Sequence, residues 1–333
     1  MTHIAIRADG GPEIGYGHLV RTSALAAVVL SEGHRVTYLT TEPAHVRGVC
    51  PGDVQTVTLP SRDDPEPCIE WVESAAPDTV FTDAYPVDTE YQRAIYERAP
   101  LAVLQDDDRH AVCADVFING NIYAADLEYQ FASADTERLL GADYVLLRRE
   151  IAKLAQQNPP WRETPERAVV LMGGSDIANL TPKAVRAFDN FDVTVDAIVG
   201  PGMSTTQERT VRKEAAEVPA DVRVVREPDD LPTRMHRADF ALSTASSVTY
   251  ELLSLGTPIV SCSVAANQTL IARALTDRDL ATVLTDPDVD TLRTAITEYM
   301  SDASTRRRRQ RQGRRLVDGQ GVSRLSASLR ALS

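Results

Sequence analysis

A glycine-rich loop ending at His18 carries the residue types best suited to chemistry. Four glycines fall within eight residues: Gly10, Gly11, Gly15 and Gly17. Glycine permits positive φ and lets backbone N–H groups come close to a ligand. The apolar run 4–6 predicts a strand before the loop, and the segment His18 to Glu32 predicts a helix after it. Because a helix start presents unpaired N–H donors, the loop suits an anionic or oxygen-rich ligand.

His18 stands where this loop meets the predicted helix. The partial positive charge of a helix N-terminus favours a neutral imidazole over an imidazolium. A neutral imidazole can accept a proton from a reacting hydroxyl or water, which is the work of a general base. The alternative is a histidine that only caps the helix or packs beneath the loop.

The composition is that of a packed protein large enough for two α/β domains. Its 333 residues are 43% hydrophobic and carry a formal net charge of −13. Among the 35 basic residues, the lysines are Lys153, Lys183 and Lys213 alone. Such a composition is typical of a salt-rich cytoplasm, where charge is screened over about 3 Å at 1 M salt. We predict a halophilic source, with an acidic protein from a GC-rich genome as the alternative.

The sequence lacks the features that are typical of secreted, membrane-spanning and zinc-binding proteins. The chain begins on a strand instead of a secretory leader, and no apolar run nears the roughly 20 residues of a membrane span. The cysteines are scattered without metal-ligand spacing, so we expect reduced thiols and no zinc site. These features predict a cytoplasmic protein without a membrane span.

A cluster of arginines lies near the C-terminus, comprising Arg306–Arg309, Arg311, Arg314 and Arg315. We expect a solvated helix face set against the acidic body of the protein. Nucleic-acid binding is the alternative, but no aromatic platform accompanies the cluster and the acidic chain would repel phosphates. We therefore predict no nucleic-acid partner.

The first half alternates β-rich runs with helical segments, which indicates a parallel, doubly wound sheet. In such sheets, ligands bind beyond the carboxyl ends of the strands. Polar residues follow three of the predicted strands: Asp9, Asp83 with Tyr85, and Asp106–Asp108. We expect them to face one crevice. Capping a helix or a turn is the alternative role, above all for Asp108.

The stretch 151–166 interrupts this alternation and contains Pro159, Pro160 and Pro165. Such a stretch is typical of a linker. We therefore predict an N-terminal domain 1–150, a linker 151–166 and a C-terminal domain 167–333 that two helices complete.

The second half contains two further candidates for anion binding. Gly173-Gly174-Ser175-Asp176 follows a predicted strand, and Ser246-Ser247 begins a predicted helix. Glu251 lies one helical turn further on, from where it can reach a ribose hydroxyl. The alternative is a pair of N-capping serines and a solvated glutamate.

Several segments, in order and over nearly the whole chain, resemble one family. They are RADGGPEIGYGHLVR, TDAY, LQDDDRH with DVFINGN, DYVLLRREI, MGGSDIANLT, STASSVTYELLSLGTPIVSCSVAANQT and VDGQG. The family is the UDP-2,4-diacetamido-2,4,6-trideoxy-β-L-altropyranose hydrolases of the pseudaminic acid pathway, within the glycosyltransferase-B superfamily. The resemblance implies two Rossmann-like α/β domains facing each other across a cleft, with UDP bound mainly by the C-terminal one.

The resemblance also implies roles for individual residues. His18 would be the base that activates water. The sugar would be bound by Asp9, Gly17, Arg21, Asp83, Tyr85, Asn267 and Gln268. The UDP would be bound by Gly173, Gly174, Ser175, Ser246, Ser247, Val248 and Glu251. No cofactor and no metal ion are implied.

The chain departs from the family pattern at two places. Ala245-Ser246 stands where the family usually has two glycines, which would hold the diphosphate further from the backbone. Asn119-Gly120-Asn121 stands where the family often has glutamine between two asparagines, which bears on sugar specificity.

These features favour metal-independent hydrolysis of a UDP-linked deoxy amino sugar in nonulosonic acid biosynthesis. His18 would take a proton from water as it attacks the anomeric carbon, and UDP would leave on the opposite face. Backbone N–H groups and helix dipoles would meet the charge of the departing diphosphate. Asp106–Asp108 keeps a metal-bound diphosphate open as an alternative.

Three other functions remain as alternatives. An inverting glycosyltransferase of the same fold would use His18 to deprotonate an acceptor hydroxyl, and a non-catalytic protein would only bind the nucleotide sugar. A dinucleotide-dependent oxidoreductase is disfavoured, because Val20 occupies a position that needs a small residue, although Glu42 suits that function. For the assembly, we expect a monomer or a weak homodimer.

Overall fold

The structure is a computed structural model that describes residues 1–11 and 14–332. These residues form two compact units, one of residues up to Arg149 plus those from Gly319 onward, the other of Glu150–Asp318. Each unit is built on a parallel β-sheet with helices. The prediction of two Rossmann-like α/β domains is confirmed.

The first unit contains a seven-stranded sheet among the described residues. Its strands are β1 (His3–Ala8), β2 (Arg35–Thr40), β3 (Gln55–Thr58), β4 (Thr79–Asp83), β5 (Leu101–Leu104), β6 (Val116–Asn119) and β7 (Glu137–Leu140). The order is β3-β2-β1-β4-β5-β6-β7, with every neighbouring pair parallel. The direction of strand addition reverses between β1 and β4, the point where open α/β sheets bind ligands.

Four helices connect the strands of this unit: α1 (Gly17–Ser31), α2 (Pro43–Val49), α3 (Glu66–Ala75) and α4 (Thr89–Tyr96). The helix α1 packs apolar side chains such as Leu19 and Leu25 against β1. It ends before Gly33, whose φ of +84° is readily adopted by glycine. The predicted strand and helix on either side of the glycine loop are therefore present, and positions 12 and 13 of that loop lie outside the described residues.

The second unit contains a six-stranded parallel sheet in the order β10-β9-β8-β11-β12-β13. Its strands are β8 (Arg167–Leu171), β9 (Thr194–Val199), β10 (Asp221–Arg226), β11 (Phe240–Thr244), β12 (Ile259–Ser263) and β13 (Ala281–Thr285). Its helices are α5 (Arg149–Ala155), α6 (Leu180–Arg186), α7 (Thr205–Glu217), α8 (Leu231–Arg237), α9 (Val248–Leu255), α10 (Thr269–Asp277), α11 (Val289–Ser301) and α12 (Ala303–Leu316). The strand order again reverses, here between β8 and β11.

The stretch 151–166, predicted as a linker, belongs to the second unit. It begins within α5, and its later part is hydrogen-bonded to α12. Arg306 and Arg314 donate to carbonyl oxygens of this stretch, those of Ala155, Gln157, Arg162 and Glu163. The helix α5 ends at Ala155, before the prolines, and arginine donors satisfy backbone carbonyl groups from that residue onward. The linker prediction is corrected accordingly.

Arg306 also corrects the prediction of a solvated arginine face. Its side chain is 1% exposed, and its Nε donates to the carbonyl oxygen of Tyr299 at 2.6 Å. Burial lowers the pKa of this guanidinium below its usual value, against the opposing charges of Asp239 and Asp302. Arg311 and Arg315 are exposed, so only part of the cluster faces solvent.

The last helix, α13 (Gly321–Ala331), belongs to the first unit, whereas the sequence prediction assigned all of 167–333 to the second. Val322, Leu325 and Leu329 lie on one helix face and join the core formed by β1 and α1. An apolar stripe in the sequence shows that a helix packs against something, but not which unit it packs against. For this reason the predicted C-terminal boundary of the second domain was wrong.

We expect Leu325→Ala to destabilise the first unit by about 2–5 kcal/mol, because the side chain is fully buried and its loss leaves a cavity. Hydrogen exchange should show lost protection in β1 and α1. Ser323→Ala, on the exposed face of the same helix, is the matched control. Lost protection confined to residues 150–318 would contradict this assignment of α13.

Candidate active site

Three neighbouring strands of the first sheet deliver polar residues to one place. Ala8 at the end of β1 pairs with Asp83 at the end of β4, so the loop after β1 starts beside that carboxylate. The first turns of α1 then place His18 and Arg21, three residues apart, on the same helix face. Asp106 follows the next strand, β5. The predicted convergence of strand ends is therefore observed for Asp83 and Asp106.

His18 and Asp83 form a buried pair. The Nδ1 atom of His18 lies 2.6 Å from Oδ1 of Asp83, and their side chains are 10% and 1% exposed. An ionised carboxylate can only accept, so the short contact places the imidazole proton on Nδ1. Nη2 of Arg21 lies 3.1 Å from the same Nδ1, but it can only donate and so cannot bond to Nδ1 in this tautomer. In the neutral ring the lone pair is then on Nε2, to which no described residue is hydrogen-bonded. His18 is thereby oriented to accept a proton through Nε2.

Arg21 keeps Asp83 ionised. Its Nε donates to Oδ2 at 2.6 Å and its Nη2 to Oδ1 at 2.5 Å, a two-point contact. Burial raises the pKa of Asp83, but the charge of Arg21 and the hydrogen bonds from Arg21 and His18 outweigh this effect and lower the pKa to about 2. The carboxylate is therefore charged at neutral pH and can hold the Nδ1 proton of His18.

The same guanidinium reaches Asp106. Nη1 of Arg21 donates to Oδ1 of Asp106 at 2.9 Å, and Nδ2 of Asn121 donates to that oxygen at the same distance. The hydroxyl of Tyr123 donates to the main-chain oxygen of Asp106 at 3.0 Å. These three donors fix the position of Asp106 beside the His18–Asp83 pair.

A small pocket opens over these groups, and Tyr85 forms part of its wall. The Tyr85 ring meets the His18 ring edge to face, with centroids 4.7 Å apart, and is 47% exposed. The guanidinium of Arg109 lies 4.9 Å from the centroid of the Tyr85 ring and pairs with Asp107. The pocket thus offers a histidine nitrogen in its depth and an aromatic ring near solvent.

Three predicted sugar ligands form hydrogen bonds to other protein groups in the structure. Asp9 lies outside the pocket, where Oδ2 accepts from Arg7 and Oδ1 accepts from Thr40 and Thr41. Hydroxyl groups on the adjacent strand β2 satisfy this carboxylate. Arg21 and Asp83 do line the pocket, but they bond to each other, and Asp83 has no oxygen without a protein partner. The contact of all three residues with a sugar stays a prediction.

Sequence reasoning did not identify the network around Asp106. It singled out Asn119-Gly120-Asn121 only as a departure from a family pattern, and it assigned no role to Tyr123. The side chains of Asn121 and Tyr123 reach Asp106 from beyond β6. The sequence does contain a signal for this network. It is an asparagine that follows a buried strand, next to a strand that is followed by acidic residues.

In the second unit, the predicted diphosphate ligands follow two paired strands at the reversal of strand order. Gly173, with φ of +75°, begins the loop after β8 with Gly174 and Ser175. Asp176 accepts from the backbone N–H groups of Leu180 and Thr181 at 2.8 Å and so caps α6.

Ser246 and Ser247 follow β11. Ser247 is the N-cap of α9, but no side-chain hydrogen bond caps the helix. Val248 is the first residue of this helix. Their part in UDP binding stays a prediction.

The remaining predicted ligands differ in exposure. Glu251 is 7% exposed, so the alternative of a solvated glutamate is excluded. The Oε1 atom of Gln268 accepts from the backbone N–H of Val264 at 2.8 Å, which turns its amide NH2 group away from the loop. Asn267 is exposed in the short helical turn before α10, and Gly17 is exposed at the start of α1. Their roles toward a sugar stay predictions.

The described residues contain no group of three or more His, Cys, Asp or Glu side chains arranged to hold a metal ion. None of their helices is long and apolar enough to cross a membrane.

Comparison with known protein structures identifies the fold of the chain. No family model matches the chain. The structure aligns with Acinetobacter baumannii MurG at a TM-score of 0.73 and 13% identity, covering 99% of this chain and 100% of that one. It aligns with the calicheamicin glycosyltransferase CalG4 at 0.65 and 14% identity, covering 99% and 98%. The chain has the glycosyltransferase-B fold.

The chain is also similar in sequence to a known protein. The chain is 25% identical over 339 residues to the spore coat polysaccharide biosynthesis protein SpsG of Bacillus subtilis, covering 99% of this chain and 98% of SpsG. The alignment spans both units, so the similarity is not confined to one glycosyltransferase-B domain.

We expect the His18 ring to carry its proton on Nδ1, as ¹⁵N NMR of labelled histidine would show. In Asp83→Asn the carboxylate that selects this tautomer is gone, so the Nε2-protonated form should become populated. Asp108→Asn, an exposed change of equal charge on the nearby loop, is the control. An unchanged tautomer in a folded Asp83→Asn protein would contradict the proposed pairing.

Proposed function

We propose that the chain is an inverting glycosyltransferase that uses a UDP-linked sugar in glycan biosynthesis. The observation that carries the proposal is the His18–Asp83 pair in the pocket wall, where Asp83 holds Nδ1 and Nε2 has no hydrogen-bond partner among the described residues. A neutral histidine oriented in this way is suited to remove a proton from an attacking hydroxyl. The glycosyltransferase-B fold and the similarity to a polysaccharide biosynthesis protein support this reading.

In the proposed reaction, the acceptor hydroxyl gives its proton to Nε2 of His18 and its oxygen bonds to the anomeric carbon. The bond from that carbon to the UDP oxygen breaks on the opposite face, so the anomeric configuration inverts. The imidazolium that forms is stabilised by Asp83, which is already ionised.

The nucleotide would bind the second unit. The loop Gly173-Gly174-Ser175 and the first turn of α9 would supply N–H donors to the diphosphate, whose negative charge grows as it leaves. Glu251 would accept a hydrogen bond from the ribose, and Asn267 and Gln268 would contact the diphosphate or sugar. None of these proposed steps requires a metal ion.

Hydrolysis is a second candidate, favoured by the motifs that resemble the UDP-sugar hydrolases. In that reaction water takes the place of the acceptor hydroxyl, and His18 removes a proton from it in the same geometry. The two candidates share the donor, the base and the leaving group. They differ only in the nucleophile.

We expect His18→Ala to lower kcat by about 10²- to 10⁴-fold, the usual cost of losing a general base. UDP affinity, measured by calorimetry, should stay near the wild-type value, since His18 lies in the first unit and the nucleotide would bind the second. His34→Ala, a histidine just before β2 and so at the opposite end of the strands, is the control. Full activity in His18→Ala would rule out His18 as the base.

The nucleophile can be identified by turnover of a panel of UDP-linked sugars in ¹⁸O-water, with and without hydroxylated acceptors. We expect slow UDP release without acceptor and rates raised by orders of magnitude with one, and no change on adding EDTA. Fast release without acceptor, with ¹⁸O on the anomeric oxygen, would establish hydrolysis instead. Label in UDP would mean attack at phosphorus and contradict both candidates, and activity lost to EDTA and restored by Mg²⁺ would contradict the metal-free step.

A further inference from the structure

The pocket of the first unit holds a second hydrogen-bond acceptor besides His18. Oδ1 of Asp106 accepts from both Arg21 and Asn121, whereas Oδ2 has no hydrogen-bond partner among the described residues. That oxygen is not among the buried polar atoms left without a partner, and the side chain is 21% exposed. Oδ2 of Asp106 is therefore accessible from the pocket.

Both acceptors are held by one cation. Arg21 binds Asp83, which orients His18, and it binds Asp106 with the other arm of the same planar guanidinium. The planar guanidinium thus links, through Asp83 in one case and directly in the other, the two side chains that carry these acceptors. Both side chains line the same pocket.

The hydrogen-bonding properties of Nε2 of His18 and Oδ2 of Asp106 define which ligands fit the pocket. Each accepts a hydrogen and neither donates one, because His18 carries its proton on Nδ1 and Asp106 is a carboxylate. A simple alcohol supplies one donor and leaves the other acceptor unmatched. A diol or an amino alcohol, such as two neighbouring positions of a sugar, supplies both.

We propose that Asp106 binds a second hydroxyl or ammonium group of the acceptor, next to the hydroxyl that His18 deprotonates. The acceptor is then a sugar or another compound with two neighbouring donor groups. This inference rests on the proposed transferase function and specifies its acceptor. Tyr85 and Asp106 are more exposed than His18, so the attacking hydroxyl lies deepest and its neighbour lies nearer solvent.

The substitution Asp106→Asn tests the proposal with little change of shape. The amide oxygen can accept from Arg21 and Asn121 as Oδ1 does, which leaves an NH2 group in place of Oδ2. A donor then faces the second donor group of the acceptor, so recognition of that group is lost. Asp108→Asn changes the same charge on the same loop at an exposed residue and serves as the control.

The probes are methyl β-D-glucopyranoside, methyl β-D-galactopyranoside, methyl 2-amino-2-deoxy-β-D-glucopyranoside and their monodeoxy derivatives. Turnover is measured with each UDP-linked sugar of the panel, and binding without donor is followed by saturation-transfer NMR. For wild type and Asp108→Asn, we expect one monodeoxy change next to the attacking hydroxyl to lower kcat/KM about 10- to 100-fold. In Asp106→Asn the same two acceptors should differ by less than about 3-fold.

The possible outcomes separate this proposal from the function on which it rests. Transfer by wild type with undiminished discrimination in Asp106→Asn would overturn the role of Asp106 and leave the transferase intact. Rapid acceptor-free release of UDP, slowed in Asp106→Asn, would mean that Asp106 holds water and would overturn the acceptor proposal. Discrimination seen in binding but without turnover of any donor would support the role of Asp106 and contradict the proposed transferase.

Discussion

The geometry of the candidate site depends on one partly buried guanidinium. Arg21 makes a two-point contact with Asp83 and a further contact with Asp106, and its position is set by the first turns of α1. Removing charged groups from water is costly, and a buried ion pair often adds little net stability. Its effect here is geometric, because one cation fixes the ionisation of Asp83, the tautomer of His18 and the position of Asp106. Truncating Arg21 would leave two carboxylates close together without their common counter-ion.

The parallel sheet explains why these groups meet. Each strand of such a sheet ends at the same edge, and the reversal of order between β1 and β4 leaves a crevice there that no crossing helix covers. The glycine loop and α1 enter this crevice from β1, while β4 and β5 contribute the two carboxylates. The second unit repeats the arrangement with β8 and β11, whose following loops contain glycines and serines, while the acidic residue there, Asp176, caps α6.

The sequence predicted correctly those structural features that depend on residues close together in the chain. The alternation of strand and helix predicts both sheets, and the glycines before His18 predict the loop and the start of α1. Hydrogen bonds between residues that are distant in the sequence leave no such pattern. Asp9 and Asp83, both acidic residues at strand ends, therefore look equivalent in the sequence. In the structure Asp9 is satisfied by Arg7 and by hydroxyl groups of β2, whereas Asp83 binds His18. Arg306 was misplaced for the same reason, since nothing local reveals that distant carbonyl groups need its N–H donors.

The return of α13 to the first unit makes the second unit an insertion within the first. The chain passes from one unit to the other near residue 149 and back near residue 319. During synthesis, the segment 150–318 emerges whole and can complete its own core, while the first unit still lacks Val322, Leu325 and Leu329. The core of the unit that carries His18 can therefore be completed only once α13 has been made, although the strands of that unit are made first.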